Sequence, residues 1–427
     1  MPKSGSNWSV SMHHPSAPEP SRGQTLAEWR TGWALVVAAC CGVALGSVQI
    51  YATGVFVAPL EAEFGWSRAD ISAALMAPAL LGVVLSPLFG IFIDRWGARR
   101  MAIPGTIMVC ATTASLSLAG PSIYSWWALW AVFGVATLFL KPTIWSTAVS
   151  SHFSAGRGLA LAVMLSGTGL AQACLPTITR LLIDGMGWRG AYLALGTGFA
   201  LVVVPVLWFF FHDARFERDG SGKKISDAVT GYTLREGVRT RQFWQLLLTA
   251  IIITGVIVGF VFHLVPLLSE MGLSRANATY AAGIAGIFSI IGRLGVGFML
   301  DRLPGPPVGA ISVALPIIAA ALLLAFPGSV PMAIVAIAFL GLCIGGEYDS
   351  VIYLATRYFG MRSFGSLFGW ITSALLAGVG LGPWIAGTIR DATGAYDLFL
   401  WIVIPLAGLS AVLLGTLGRY PEHGPAA

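Results

Sequence analysis

Four ionisable side chains, Lys141, Arg293, Glu347 and Asp349, fall inside long apolar stretches of the sequence rather than between them. At the centre of a membrane-spanning helix each costs about 2.5–3.5 kcal/mol, so each must face water, a partner or a ligand. Lys141, Arg293 and Glu347 lie about 16 to 18 residues from one end of their helices, roughly 25 Å at 1.5 Å per residue, and so share one level. A guanidinium and an ammonium at that level suit the gripping of a carboxylate. A carboxyl group beside them has to be protonated before a second anion is tolerated. Asp349 is about 200° around the helix from Glu347. Glu347 and Asp349 are therefore the candidate proton-coupling groups; both cannot face the cavity equally, and Asp349 is the one expected to pack or gate.

The same residues admit a plainer reading: Lys141 paired with Glu347 or Asp349 as an internal strut, and Arg293 hydrogen-bonded to helix carbonyls. His263 is expected either to touch the bound molecule or to hold two helices together by a hydrogen bond. Tyr51, Trp145 and Trp370 are candidate aromatic walls for an organic anion, although many of the 15 tryptophans belong to belts at the lipid interface.

The chain of 427 residues is 56% apolar and only 10% charged, far from the balance of a soluble domain. Apolar runs of about 20 residues predict twelve membrane-crossing helices. They fall near 33–58, 69–92, 101–119, 125–151, 158–184 and 189–211, then 242–268, 275–300, 308–326, 330–356, 364–390 and 396–418. The fold class is an all-α membrane protein with two six-helix halves, 31–211 and 242–418. A tail over 1–30 is expected to be disordered, a polar loop over 212–241 separates the halves, and 419–427 forms a second tail. Within the loop, Leu234 to Arg239 is expected to form a short surface helix.

The two halves are copies. Pro59-Leu60-x-x-Glu63-x-Gly65-x-Ser67-Arg68-Ala69-Asp70 recurs as Pro266-Leu267-x-x-Glu270-x-Gly272-x-Ser274-Arg275-Ala276-Asn277, and Asp94-Arg95 recurs as Asp301-Arg302, all at one offset (266 − 59 = 207; 301 − 94 = 207). Internal duplication in a membrane protein points to a transporter with its site where the repeats meet. In the later part of each half the offset is 206, which makes Lys141 and Glu347 pseudo-symmetry mates (347 − 141 = 206).

Basic residues sort to one side. With the N-terminus inside, 18 of the 25 Lys and Arg fall on the cytoplasmic side, which predicts a multi-pass protein of the plasma or bacterial inner membrane with both termini cytoplasmic. The net charge of +6 follows from this bias and gives no sign of nucleic-acid binding. All five cysteines lie in apolar helices, where thiols pack as small groups. No cluster suggests a metal, cofactor or catalytic centre, and no Gly-x-x-x-x-Gly-Lys-Ser/Thr loop is present, so an ATP-driven pump or an enzyme is not expected.

Gly90-Ile-Phe-Ile-Asp94-Arg95-Trp96-Gly97-Ala98-Arg99-Arg100 resembles the signature loop of the major facilitator superfamily, and Gly297-Phe-Met-Leu-Asp301-Arg302 is its second-half echo. The resemblance implies that Asp94, Arg95, Arg99, Asp301 and Arg302 act in gating. Gly32-Trp33-Ala34 and Phe153-x-x-x-Arg157-Gly158-x-Ala160-x-Ala162 resemble the openings of helices one and five in monocarboxylate transporters and their oxalate/formate-type relatives. In those relatives an arginine of the eighth helix binds the anion, and Arg293 stands at the matching place. The animal-type transporters carry a lysine and an aspartate where Tyr51 and Ser289 stand here, so that proton relay is absent. The fifth helix lacks the Gly-Pro pattern of drug/proton antiporters.

The resemblance implies transport of an organic monocarboxylate by alternating access, in symport with protons, or alternatively anion exchange of the oxalate/formate type. A receptor that kept the fold is a further alternative. The partners are a small organic anion, protons and the lipid bilayer, and a monomer is expected.

Overall fold

The computed structural model describes residues 22–85, 98–153, 157–211, 231–300, 302–360 and 364–421, and nearly all of them are helical. Among these residues eleven segments are long and apolar enough to cross a membrane. One of them, Leu159–Phe210, is 52 residues long and crosses twice, because Gly187 breaks the helix with a φ of 72°. The twelve expected spans are therefore present.

The first span is built from α1 (Arg22–Gly46), α2 (Val48–Tyr51) and α3 (Thr53–Phe64), and the second from α4 (Arg68–Ala73) and α5 (76–85). The third is α6 (Ala98–Ser115), the fourth α7 (Ile123–Thr137) with α8 (Pro142–His152), and α9 (Arg157–Phe210) supplies the fifth and sixth. After the short α10 (Leu234–Arg239) come α11 (Arg241–Glu270), α12 (Arg275–Leu300), α13 (Gly305–Ala325), α14 (Val330–Phe359), α15 (Phe364–Thr393) and α16 (Asp397–Gly415). Helix α10 sits where the sequence predicts it, held by a capping box in which Thr233 and Glu236 exchange hydrogen bonds.

One boundary differs. The first helix starts at Arg22, so residues 22–30, expected in the disordered tail, extend it. The cause is packing: Trp29 meets Phe153 edge-on with ring centroids 5.3 Å apart. The same corner joins the two stretches that carry the monocarboxylate-transporter resemblance, since a Cβ built on Gly32 would lie 2.5 Å from the Phe153 ring.

The repeated motif is a pair of cap signals. Gly65 (φ 68°) and Gly272 (φ 97°) close the first and seventh spans in a left-handed conformation that suits glycine. Two residues later Ser67 Oγ accepts a hydrogen bond from the Asp70 amide at 3.0 Å, and its mate Ser274 accepts from the Asn277 amide at 3.2 Å. These are N-caps for α4 and α12. Each arginine of the motif is thus delivered at the mouth between the halves.

Lipid offers helices no hydrophobic drive to associate, so close backbone approach through small residues has to supply the contact. The halves meet as α9 on α12, α4 on α15, and α2 with α3 on α11. Gly54 faces the Phe262 carbonyl directly, and a Cβ on Gly283 would sit 2.6 Å from the Ala173 carbonyl. Within the second half, α12 packs on α14 through Gly292, Gly341 and Gly345. A Cβ on Gly341 would meet the Ala285 carbonyl at 2.5 Å. That tight pair of helices sets Arg293 beside the charges of α14.

Candidate functional site

Arg293 Nη1 lies 3.6 Å from Asp349 Oδ1, and the two side chains are 11% and 24% exposed. Asp349, expected to pack or gate, is thus the carboxylate that pairs with Arg293. Glu347 is 8% exposed and has Asp349, Arg293 and Thr254 of α11 as its polar neighbours. The Thr254 hydroxyl and Glu347 Oε2 are each buried without a hydrogen-bond partner among the described residues. Tyr51, at the end of α2 in the first half, is within Coulombic range of Arg293 and Glu347. The four groups therefore converge from both halves: one phenol from the first and an arginine with two carboxylates from the second.

Lys141 occupies a different seat. It stands with extended backbone (ψ 144°) between a 3-10 turn, Leu138–Leu140, and α8, so the fourth span is broken at this residue. Its Nζ is 3.5 Å from the point a Cβ on Gly82 would take, and that point is 3.2 Å from Leu376 of α15. The ammonium thus lies at the α5–α15 seam between the halves.

Gln172 of α9 is a site residue that the sequence reading passed over. It is 1% exposed, neither end of its amide has a hydrogen-bond partner among the described residues, and with Tyr51 it lines a narrow cleft that includes Gly54, Pro176 and Val261. The available signal was an uncharged amide in an otherwise apolar run, whose burial is costly unless it binds something.

The aromatic candidates separate. Trp145 is fully buried under Gly42, with its indole N–H donating to the Leu140 carbonyl at 3.3 Å and its ring edge-on to Phe211. Trp370 is 58% exposed on the flank of α15. Neither stands with Tyr51 and Arg293.

His263 is fully buried and locked at both nitrogens. Nε2 is 2.9 Å from the Pro383 carbonyl and Nδ1 is 2.8 Å from the Tyr396 hydroxyl. A carbonyl can only accept, so Nε2 carries the hydrogen and Tyr396 donates to Nδ1. The Tyr396 oxygen in turn accepts from Arg68 Nη1 at 3.1 Å.

That chain ends in a cluster of charges at the end of the bundle away from the termini. Arg68 pairs with Glu61 at 3.0 Å within its own half and with Glu270 of the other half at 2.7 Å. Arg390 of α15 pairs with Glu270 at 3.0 Å and reaches Glu61 at 3.7 Å. Asp391 accepts from the Ala69 amide at 2.8 Å. Arg275, the repeat mate of Arg68, donates across the seam to the Val55 carbonyl at 3.2 Å. Both copies of the motif arginine therefore hold the halves together there. Glu63, the mate of Glu270, stays in its own half with Trp188 and Arg189, and hydrogen bonds from these two hold its carboxyl below the usual range.

Of the expected gating residues, Asp94, Arg95 and Asp301 lie outside the described residues. Arg99 donates to the Trp208 carbonyl at 2.7 Å, and Arg302 donates to the Phe298 carbonyl at 3.3 Å while covering that ring.

Twelve spans in two like halves, with polar groups buried where the halves meet, define a polytopic membrane transporter. The family model described as Major Facilitator Superfamily matches residues 39–374, and the chain belongs to that superfamily. It is similar to the uncharacterized MFS-type transporter YcxA of Bacillus subtilis, 26% identical over 84% of this chain and 88% of that protein. Human monocarboxylate transporter 11 is 26% identical over 92% of this chain and 85% of the relative. The oxalate:formate antiporter of Oxalobacter formigenes is 25% identical over 66% of this chain and 67% of the relative. Among solved structures, a D-xylose-proton symporter superposes with a TM-score of 0.71 at 13% identity, covering 92% of this chain and 99% of the other, a likeness of fold.

Proposed function

We propose that the protein carries an organic monocarboxylate across the cell membrane by alternating access, with a proton in symport and both termini cytoplasmic. The observation that carries this reading is the pairing of Arg293 with Asp349 beside buried Glu347 and Tyr51. With both carboxyls ionised the group has one positive and two negative charges. A substrate carboxylate that takes the guanidinium from Asp349 would add a third negative charge in a poorly solvated place, and protonation of Glu347 removes that excess. Anion and proton then cross together.

Tyr51 supplies a hydroxyl from the other half, and Lys141 a second cation that the substrate meets as the halves rock. The similarity to human monocarboxylate transporter 11, over 92% of this chain, supports the substrate class. The far-end latch supports alternating access, since it must break for that end to open. Exchange of one organic anion for another is the second reading, favoured by the similarity to an oxalate:formate antiporter.

The deciding experiment is uptake of labelled aliphatic and aromatic carboxylates into proteoliposomes, with and without an inward proton gradient, for wild type, Arg293→Ala and Glu347→Gln. Gradient-driven uptake that is lost in Arg293→Ala and uncoupled in Glu347→Gln supports symport. Uptake that ignores the gradient but needs internal anion means exchange. Transport of no carboxylate overturns the substrate class.

A further inference from the structure

Helix α10 is fixed at the mouth of an apolar groove on the outside of the second half. Gly231 bridges to Gly360, Gly237 packs so closely that a Cβ would meet Leu367 at 2.6 Å, and the Trp244 indole donates to the Val238 carbonyl at 3.0 Å. These ties hold open a hollow of about 840 Å³ between α10, α11 and α15, walled by Leu234, Val238, Trp244, Leu247, Trp370 and Ala374. Ile251 also lines a second hollow, of about 270 Å³, whose walls include Gly255, Leu381 and Phe399. From Phe243 to Val256 the lining follows α11 for thirteen residues (256 − 243 = 13), about 20 Å, the length of an extended fatty-acyl chain.

The mouth is basic. Arg235 and Arg239, one turn apart on α10, both line the hollow, and Arg241 begins the span beside them. None of the ion pairs among the described residues involves these three arginines. Trp244 and Trp370, 51% and 58% exposed, flank the groove in the manner of indoles at a lipid headgroup boundary. A charged mouth at the start of a span and an apolar channel of acyl length fit one molecule with both properties.

We propose that this groove binds one anionic phospholipid, with its phosphate on Arg235 and Arg239 and an acyl chain along the seam of α11 and α15. A zwitterionic lipid satisfies the channel but brings no net charge to Arg235 and Arg239, which form no ion pair among the described residues. The bound lipid would lie on the two helices that carry Glu270 and Arg390 near their far ends, and so on the second-half side of the far-end latch.

The test is lipid retention by the purified full chain, read by native mass spectrometry from micelles holding equal phosphatidylglycerol and phosphatidylcholine. At about fivefold per surface arginine, phosphatidylglycerol is retained roughly twenty-five-fold over phosphatidylcholine. Arg235→Gln with Arg239→Gln brings the two lipids level, and Ser373→Trp, which fills the groove, lowers retention of both. Should the double variant fold poorly, each single variant is expected to cut the preference about fivefold. Equal retention by the wild type, or a preference unchanged in the arginine variants, overturns the proposal. Glycerol phosphate raising the melting temperature as much as phosphatidylglycerol would mean a free-anion site without the acyl channel, and overturns it too.

Discussion

Arg68 at the start of α4 and Glu270 at the end of α11 meet at 2.7 Å, and they join halves that are copies of one another. The contact is asymmetric in an informative way. Arg275, the mate of Arg68, crosses the same seam to a backbone carbonyl, whereas Glu63, the mate of Glu270, turns back into its own half. The duplicated motif brings both arginines to the seam, but Glu63 is held by Trp188 and Arg189, so one crossing is an ion pair and the other a neutral hydrogen bond.

The first prediction concerns that pair. Arg68 is nearly buried and Glu270 about a quarter exposed, so removal of either leaves a partly desolvated charge. In a cycle of Arg68→Gln, Glu270→Gln and the double variant, thermal unfolding is expected to show a coupling of about 1–3 kcal/mol. Additive losses would mean that the pair is incidental.

The chain from Pro383 through His263 and Tyr396 to Arg68 is expected to behave as one unit. His263→Phe strands the Tyr396 hydrogen and the Pro383 carbonyl in the interior and should lower stability by about 1–3 kcal/mol. Tyr396→Phe removes a link of the same chain, so the double variant should lose much less than the sum. Melting of the four proteins in one detergent checks this, and full additivity would refute it.

At the central site, Arg293→Lys keeps the charge but loses the planar fork that matches a carboxylate. Its KM for the transported acid is expected to rise about tenfold or more, the worth of a charge-assisted hydrogen bond. Asp349→Asn frees the guanidinium from its competitor and should lower KM while slowing turnover. Uptake kinetics that show the opposite signs would separate Asp349 from substrate binding.

Glu63 yields a pH prediction. Its carboxyl is held below the unfolded value of 4.5, first by the hydrogen bond from Trp188 and then by that from Arg189. A depressed pKa contributes stability that is fully present above the unfolded value and disappears as the pH falls through the folded one. Wild type should therefore melt higher than Glu63→Gln near neutral pH, and the difference should shrink as the pH falls below 4.5 and vanish once the folded carboxyl is protonated. A difference that persisted in acid would point to shape rather than charge.

Much of this architecture was legible in advance because lipid makes simple demands. A span needs about 20 apolar residues, and a charge inside one needs a reason. Arg293 and Glu347 stand out in this way, Tyr51 as a candidate aromatic wall, and the three lie near one another. The helix over Leu234 to Arg239 was legible because a Thr-x-x-Glu box is local chemistry. The far-end cluster was not, since Glu61, Arg68, Glu270 and Arg390 all read as ordinary loop charges until two distant halves bring them within 4 Å. The place of Asp349 was missed because a helical wheel treats side chains as spokes. A long guanidinium on α12 can reach a carboxylate on the flank of α14. Trp145 and Trp370 illustrate the limit of residue type alone, one sealed in the core and the other turned to the membrane.

The break at Lys141 separates the halves in a further respect. Its repeat mate, Glu347, sits in the middle of α14, which runs unbroken for 30 residues, while the fourth span gives way at a 3-10 turn followed by Pro142. An uninterrupted helix transmits a push from one face of the membrane to the other as a rigid lever, whereas a span broken at mid-depth can bend like an elbow. The fourth span is therefore the compliant one of this pair and the tenth the stiff one, and under the proposed alternating access, opening toward one side of the membrane is not the mirror image of opening toward the other.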